Sequence, residues 1–172
     1  ELIQTHSAWQ AWQNSNQAPE NTLINITAGK VELGKTSDET YGWDNEYGSH
    51  HIDVQSFQAS QFLVSNQEFL AFVDAGAYQN EAYWQPEGLQ WLQFSQAIHP
   101  NFWLKVGDNW QCRLMTEIID MPWNWPAEVN YHEAKAFCNW KAEKTGVTVR
   151  LPTEDEWQRL YDVSTVDELK EG

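Results

Sequence analysis

Positive charge is scarce in this sequence. Lysine and arginine number 10 against 25 aspartates and glutamates, a formal net charge of −15 at pH 7. Proteins that bind nucleic acid or anionic membranes use clustered cations to displace counterions or meet lipid phosphates. Here the cations are scattered, so neither nucleic acid nor membrane is an expected partner. No apolar run approaches the roughly 20 residues of a membrane-spanning helix, and no charged-then-apolar leader opens the chain. Cysteine is nearly missing too. Cys112 and Cys138 make no disulfide framework and read as buried free thiols of a cytoplasmic protein. There is no glycine loop of the kind that cradles phosphates, and no His-x-x-x-His or His-Glu-x-x-His pair for a metal.

Aromatic residues are abundant, with 11 tryptophans in 172 residues. That length fits one domain with a sizeable core, and the composition is too apolar for a disordered chain. Residues 1–12 are compatible with a helix, and the stretch Asn14 to Pro19 reads as a linker. Leu23 to Gly34 reads as strand, with a turn at Ala28-Gly29-Lys30, and Ile52 to Phe57 as a second strand. Three helix starts share one signature: Ser65 with Glu68, Asn130 with Glu133, and Thr153 with Glu156. In each, a short polar side chain can accept from an orphan amide, and the acid three residues on can bond back to the cap amide. The first helix is expected to bury Phe69, Phe72 and Val73 and to stop near Gly76. The second is expected to bury Tyr131, Ala134, Phe137 and Cys138 and to end at Gly146. A short strand over Val147–Leu151 follows, then a third helix anchored in the core by Trp157. Tyr78 to Glu128 shows little periodicity but holds Trp84, Trp91, Trp103, Trp110, Trp123 and Trp125, whose rings can hold irregular backbone by packing. These elements predict an α+β fold.

The stretch Gly42-Trp43-Asp44-Asn45-Glu46-Tyr47-Gly48-Ser49-His50-His51-Ile52-Asp53-Val54 is the densest cluster of candidate chemistry. On a strand, adjacent His50 and His51 point to opposite faces and cannot readily share a metal. His51 and Asp53 share a face but supply two ligands where a catalytic site usually needs three. One histidine paired with a carboxylate is the expected arrangement. Asp44 and Glu46 read as turn carboxylates that bond local backbone or pair with a basic residue such as Arg150, with an acid–base pair as the alternative. Arg113 beside Cys112 would lower that thiol's pKa. Exposed tryptophans would suit sugar stacking, and Gln85-Pro86-Glu87 is similar to the calcium–sugar tripeptide of C-type lectins.

Taken in order, the motifs resemble the formylglycine-generating-enzyme/sulfatase-modifying-factor domain. The likeness begins at Ile26-Thr27-Ala28-Gly29-Lys30-Val31-Glu32-Leu33-Gly34, which is similar to that family's opening hairpin. It continues through Glu46, His50 and Ile52, Val64-Ser65-Asn66-Gln67-Glu68-Phe69 with Phe72, Val129 to Ala134 and Phe137-Cys138-Asn139-Trp140. It ends in the most specific string, Arg150-Leu151-Pro152-Thr153-Glu154-Asp155-Glu156-Trp157. The resemblance spans Leu23 to Leu160. It implies a C-type-lectin-like variant of the formylglycine-generating-enzyme fold, with residues 1–20 as a leading helix and linker and 21–172 as a partial domain, incomplete at its C-terminus.

Within the family, Tyr41 to Glu46 and the tract from Gly76 to Trp91 resemble the iron-dependent sulfoxide synthases, and the Trp-rich insert leans to the ovothiol type, 5-histidylcysteine sulfoxide synthase. That resemblance implies cysteine and histidine as substrates and O₂ as oxidant. It also implies Fe(II) held by a DinB-like helical domain through a His-x-x-x-His-x-Glu motif, with a methyltransferase domain in some members. The iron motif is absent from this sequence, so no cofactor is expected on these residues themselves, and alone the chain is expected to be inactive. Trp43, Asp44 and Glu46 are expected at the rim of a substrate pocket. Gly48 stands where many relatives have proline. The alternatives are a carbohydrate- or protein-binding lectin-like module, or part of a copper-dependent formylglycine-generating oxidase, to whose cysteine pair neither Cys112 nor Cys138 can be assigned.

Overall fold

Each helix start named above begins a helix in the computed structural model, which describes residues 17–35, 42–44 and 47–168. The helical reading of residues 1–12 lies outside the described residues. Helix α1 spans Asn66–Asp74, α2 Pro86–Ser95, α3 Tyr131–Thr145 and α4 Glu154–Glu168. Among the described residues, seven strands accompany them: β1 Leu23–Ile26, β2 Gly29–Lys35, β3 Gly48–Val54, β4 Phe57–Ser60, β5 Trp103–Val106, β6 Asn109–Arg113 and β7 Ile118–Asp120. This is a mixture of helix and sheet, as composition and pattern predict. The described residues divide into two compact units, one made of 62–151 with 17–21, the other of the described part of 22–61 with 152–168.

In the first unit, α1 and α3 pack their aromatic faces together. Phe69 and Phe137 stack at 5.3 Å, and Phe72 meets Phe137 at 5.9 Å. Trp103 from β5, Trp84, Tyr78 and Met121 complete the buried cluster. Both capping boxes form in full, at Ser65 with Glu68 and at Asn130 with Glu133. A helix start leaves its first amides without intrahelical partners. Here the amides of Asn66 and Gln67 donate to the carbonyls of Trp125 and Trp123 at 2.8 and 3.0 Å. The Asn66 side chain donates to the Pro122 carbonyl at 2.9 Å. The Trp-rich segment thus caps α1 with its backbone while its rings fill the core.

Four expectations for this unit are corrected. The segment from Tyr78 to Glu128 is largely regular: two 3₁₀ turns, Ala77–Gln79 and Glu81–Tyr83, lead to α2, and β5–β6–β7 form an antiparallel meander. Its periodicity is hidden because the elements are short and the rings pack on several sides. The buried residues of α3 are Glu133, Ala136, Phe137 and Cys138, whereas Tyr131 is 61% exposed. Glu133 turns inward because its carboxylate finds donors there. Val147–Leu151 is irregular, since no strand among the described residues pairs with it. Gln85-Pro86-Glu87 is the cap and first turn of α2, where proline lacks only an amide the helix would leave unpaired.

In the second unit, β2 pairs antiparallel with β3 and β1 with β4. The expected hairpin within Ile26–Gly34 is therefore replaced by a corner at Thr27-Ala28, and Gly29 and Lys30 already belong to β2. Arg159 of α4 explains the corner. Its guanidinium donates to the Thr27 carbonyl at 2.9 Å, the Thr27 hydroxyl at 3.1 Å and the Ala28 carbonyl at 3.4 Å. A Cβ on Gly29 would lie 2.5 Å from the guanidinium carbon. Ile26, Val31 and Val54 are buried. Trp157 is not a core anchor: it is 55% exposed and stacks on Tyr161 at 5.8 Å. Glu156 accepts from the Thr153 amide at 2.9 Å, so its side chain closes the start of α4.

Candidate functional site

The loop that carries Trp43 and Asp44 joins β2 to β3. The pinch at its base is tight. Gly34 has φ +90, and a Cβ there would lie 2.0 Å from the Gly48 carbonyl oxygen. Gly48 has φ +106, which proline, fixed near −65°, does not reach. A proline at this position would force a different backbone path into β3. Trp43 is 65% exposed and Asp44 is also exposed, while Glu46 lies outside the described residues.

Strand alternation separates the two histidines. His50 shares a face with Ile52 and Val54, and His51 shares the other with Asp53. His51 stands opposite Glu32 in the β2–β3 register, with Nε2 3.9 Å from a carboxylate oxygen. This is the expected histidine–carboxylate pair, and it is open to solvent. Among the described residues, no group of three or more histidines, cysteines, aspartates or glutamates is arranged to hold a metal ion.

Neither thiol is poised for chemistry. Burial raises the Cys112 pKa, and the nearby Glu128 carboxylate raises it further. The neighbouring Arg113 does not lower it, because its guanidinium lies over the Phe102 ring instead. Burial also raises the pKa of Cys138, partly offset by Lys135 and Lys141. Both stay protonated near neutral pH, the unreactive form of cysteine.

The sequence reading takes Glu133 only as a cap. The structure adds that its other oxygen accepts from Tyr78 Oη at 2.5 Å, inside the aromatic core. Burial raises the carboxyl pKa, against the stabilising bonds from Tyr78 and the Asn130 amide. Burial and the facing carboxylate likewise push the Tyr78 phenol well above its usual range. With both Glu133 oxygens engaged, the pair ties the first 3₁₀ turn to α3. Spacing gives no signal for it, because the partners are 55 residues apart.

A cleft of about 280 Å³ is lined by Pro19, Asn21, Phe62, Leu63, Glu68 and Pro126, among others. Its carboxylate is already committed: Glu68 accepts from the Ser65 amide and from Asn21 Nδ2, each at 3.1 Å, and lies 3.4 Å from Lys141 Nζ. Five tryptophans of the tract from Tyr78 to Glu128 are packed on one another, which leaves Trp43 and Trp157, among the described residues, as the exposed rings that could meet a sugar. Trp103 meets Trp110 at 5.4 Å and Trp123 at 6.0 Å, and Trp84 stacks on Trp91 at 5.9 Å.

Comparison with known proteins supplies what geometry alone does not. The family described as the sulfatase-modifying factor enzyme 1-like domain matches residues 9–160. A hercynine oxygenase of Mycolicibacterium smegmatis is 31% identical over 140 residues, 80% of this chain and 31% of that protein. One from Mycobacterium tuberculosis is 33% identical over 124 residues, 72% of this chain and 27% of its own length. The bovine formylglycine-generating enzyme is 28% identical over 154 residues, 82% of this chain and 39% of that protein. The chain thus spans about a third of the length of these relatives. With most of its length matched, it belongs to the family of the sulfatase-modifying factor enzyme 1-like domain.

Proposed function

We propose that this domain works within an oxygen-dependent sulfoxide synthase of thiol–histidine biosynthesis, of the ovothiol type, which joins cysteine to histidine. The carrying observation is the 31–33% identity to hercynine oxygenases over 72–80% of the chain. The names of those relatives point to an imidazole amino acid and O₂. The choice of histidine over its trimethylated form as the substrate rests on the resemblance of the Trp-rich tract and the Trp43-Asp44 loop to ovothiol-type enzymes.

The described residues do not fit an iron centre, since no three ligand side chains converge. In this reading Fe(II) in the whole protein takes its ligands from a DinB-like domain, as the resemblance implies, and a methyltransferase domain is a further neighbour. This chain's contribution is a wall of the substrate pocket, with Trp43, Asp44 and Glu46 at its rim. The division into a leading segment, 1–20, and a lectin-like domain, 21–172, belongs to the same reading. So does a cytoplasmic location; no helix among the described residues is long and apolar enough to cross a membrane.

The test is to supply the complete gene product with Fe(II), O₂, cysteine and either histidine or hercynine, and to identify products by mass spectrometry. Histidylcysteine sulfoxide from histidine supports the ovothiol type. Product from hercynine alone replaces it with the ergothioneine type. Product from neither amino acid sinks the reading. Trp43→Ala should raise KM more than it lowers kcat if that ring lines the rim. The 172-residue chain alone should give no turnover. Similarity to the bovine formylglycine-generating enzyme supports a second reading, oxidation of a peptide cysteine to formylglycine. A cysteine-containing sulfatase peptide in the same assay, with copper in place of iron, tests it.

A further inference from the structure

A second groove, of about 260 Å³, lies between the first 3₁₀ turn and α2. The apolar part of its lining, its floor, comes from Tyr78, Leu89, Leu92, Ala97 and Ile98. The floor is firm: Tyr78 is buried, hydrogen-bonded to Glu133, and packed on Phe72 and Trp84 at 5.7 and 5.4 Å. Tyr78 itself is only 5% exposed, and the part of the apolar lining open to water is Ile98, 61% exposed. On the rim stand Gln79, Glu81 and Gln93. No hydrogen bond or ion pair engages these three side chains among the described residues.

Gln96 closes one end. It caps α2 with φ +53, the single positive φ outside glycine among the described residues. Its side chain donates to the Gln93 carbonyl at 2.7 Å. A helix end of this kind usually takes glycine. Backbone strain held by a side chain at the edge of a concave surface is a mark of binding sites.

We propose that this groove docks an extended segment of a partner protein that carries an aliphatic side chain next to a lysine or arginine. The aliphatic group covers the floor and removes it from water. The carboxamides of Gln79 and Gln93 each offer a donor and an acceptor, matching the N–H and C=O of a passing peptide bond. Glu81 is an unpaired carboxylate on a chain of net charge −15, and it complements the basic residue. The proposal is independent of the catalytic reading.

The probe is the blocked peptide acetyl-Ala-Leu-Arg-Ala-amide, titrated into the ¹⁵N-labelled 172-residue chain. Saturable amide shifts confined to Gln79, Glu81, Gln93, Gln96 and their neighbours are expected at peptide concentrations of about 1 mM. Replacing the peptide leucine by serine should weaken binding about tenfold, and replacing its arginine by glutamate about two- to fivefold. Glu81→Gln, an exposed change that keeps the fold, should weaken the arginine peptide while leaving a peptide with alanine in its place unaffected. Shifts that do not saturate, that lie elsewhere, or that the serine peptide or arginine amide alone reproduces would overturn the proposal.

Discussion

Glu133 is a carboxylate with protein on every side, and its chemistry follows from that. Glu133→Ala leaves the Tyr78 hydroxyl without an acceptor and removes half of a capping box. A loss of about 2–4 kcal/mol is expected from chemical denaturation. Because burial raises the folded-state pKa of Glu133 above its unfolded value, folding disfavours the ionised form. Its contribution is therefore most favourable at acid pH, and it falls as pH rises from the unfolded glutamate range, about pH 4, through the raised folded value. Glu133→Gln keeps an acceptor for Tyr78 and should flatten that fall, read as denaturation midpoints across the same window. Two backbone positions give opposite expectations. Gln96→Gly should stabilise by about 1 kcal/mol, since glycine takes φ +53 without a Cβ penalty. Gly34→Ala should cost about 3 kcal/mol or more, because the new Cβ meets the Gly48 carbonyl at a left-handed φ. Thermal melts of the two variants should move in opposite directions. Neither position announces itself in the sequence, where a glutamine after a helix and a glycine inside a strand pattern are both ordinary.

At the scale of elements, α4 is tied to the β1–β2 corner by one guanidinium. Arg159→Ala removes three hydrogen bonds, two of them to backbone carbonyls. It should lower stability by about 1–3 kcal/mol and speed amide exchange in Gly29–Lys35 more than in Phe62–Leu151. Equal acceleration in both segments would mean that the clamp is not local. The helix starts are legible in the sequence because a cap is a local interaction, closed within four residues by Ser65 with Glu68 or Asn130 with Glu133. The carbonyls of Trp123 and Trp125 that complete the start of α1 are not legible. Every residue carries a carbonyl, and only the returning chain decides which one arrives. The pairing of β1 with β4 and β2 with β3, in place of a hairpin between β1 and β2, is not legible for the same reason: the pattern marks strands, but the ladder partner is a long-range choice.

At the scale of the whole molecule, 25 acidic side chains against 10 basic ones imply self-repulsion that salt relieves. Raising ionic strength from about 0.01 to 0.15 M shortens the screening length from about 30 to 8 Å, and Tm should rise. An unchanged or lower Tm would show that the carboxylates are already compensated. The ionic-strength effect should be separable from the aromatic core, where Trp103→Ala is expected to cost about 3–5 kcal/mol at any salt concentration.

The sequence by itself determined the mixed helix-and-sheet class, the capping boxes, the αL glycine that ends α3, and the family. Each of these is carried by residues close together in the chain or by an ordered string of motifs. Alternation alone also separates His50 from His51. The tertiary structure decided what the aromatic rings do. It buries Trp84 and Trp103 in one cluster, leaves Trp43 and Trp157 exposed, and regularises the tract between Tyr78 and Glu128. It also turned Glu133 inward to Tyr78 and left both thiols protonated. Those outcomes depend on which groups meet across tens of residues and how much water reaches them, and a linear pattern encodes neither.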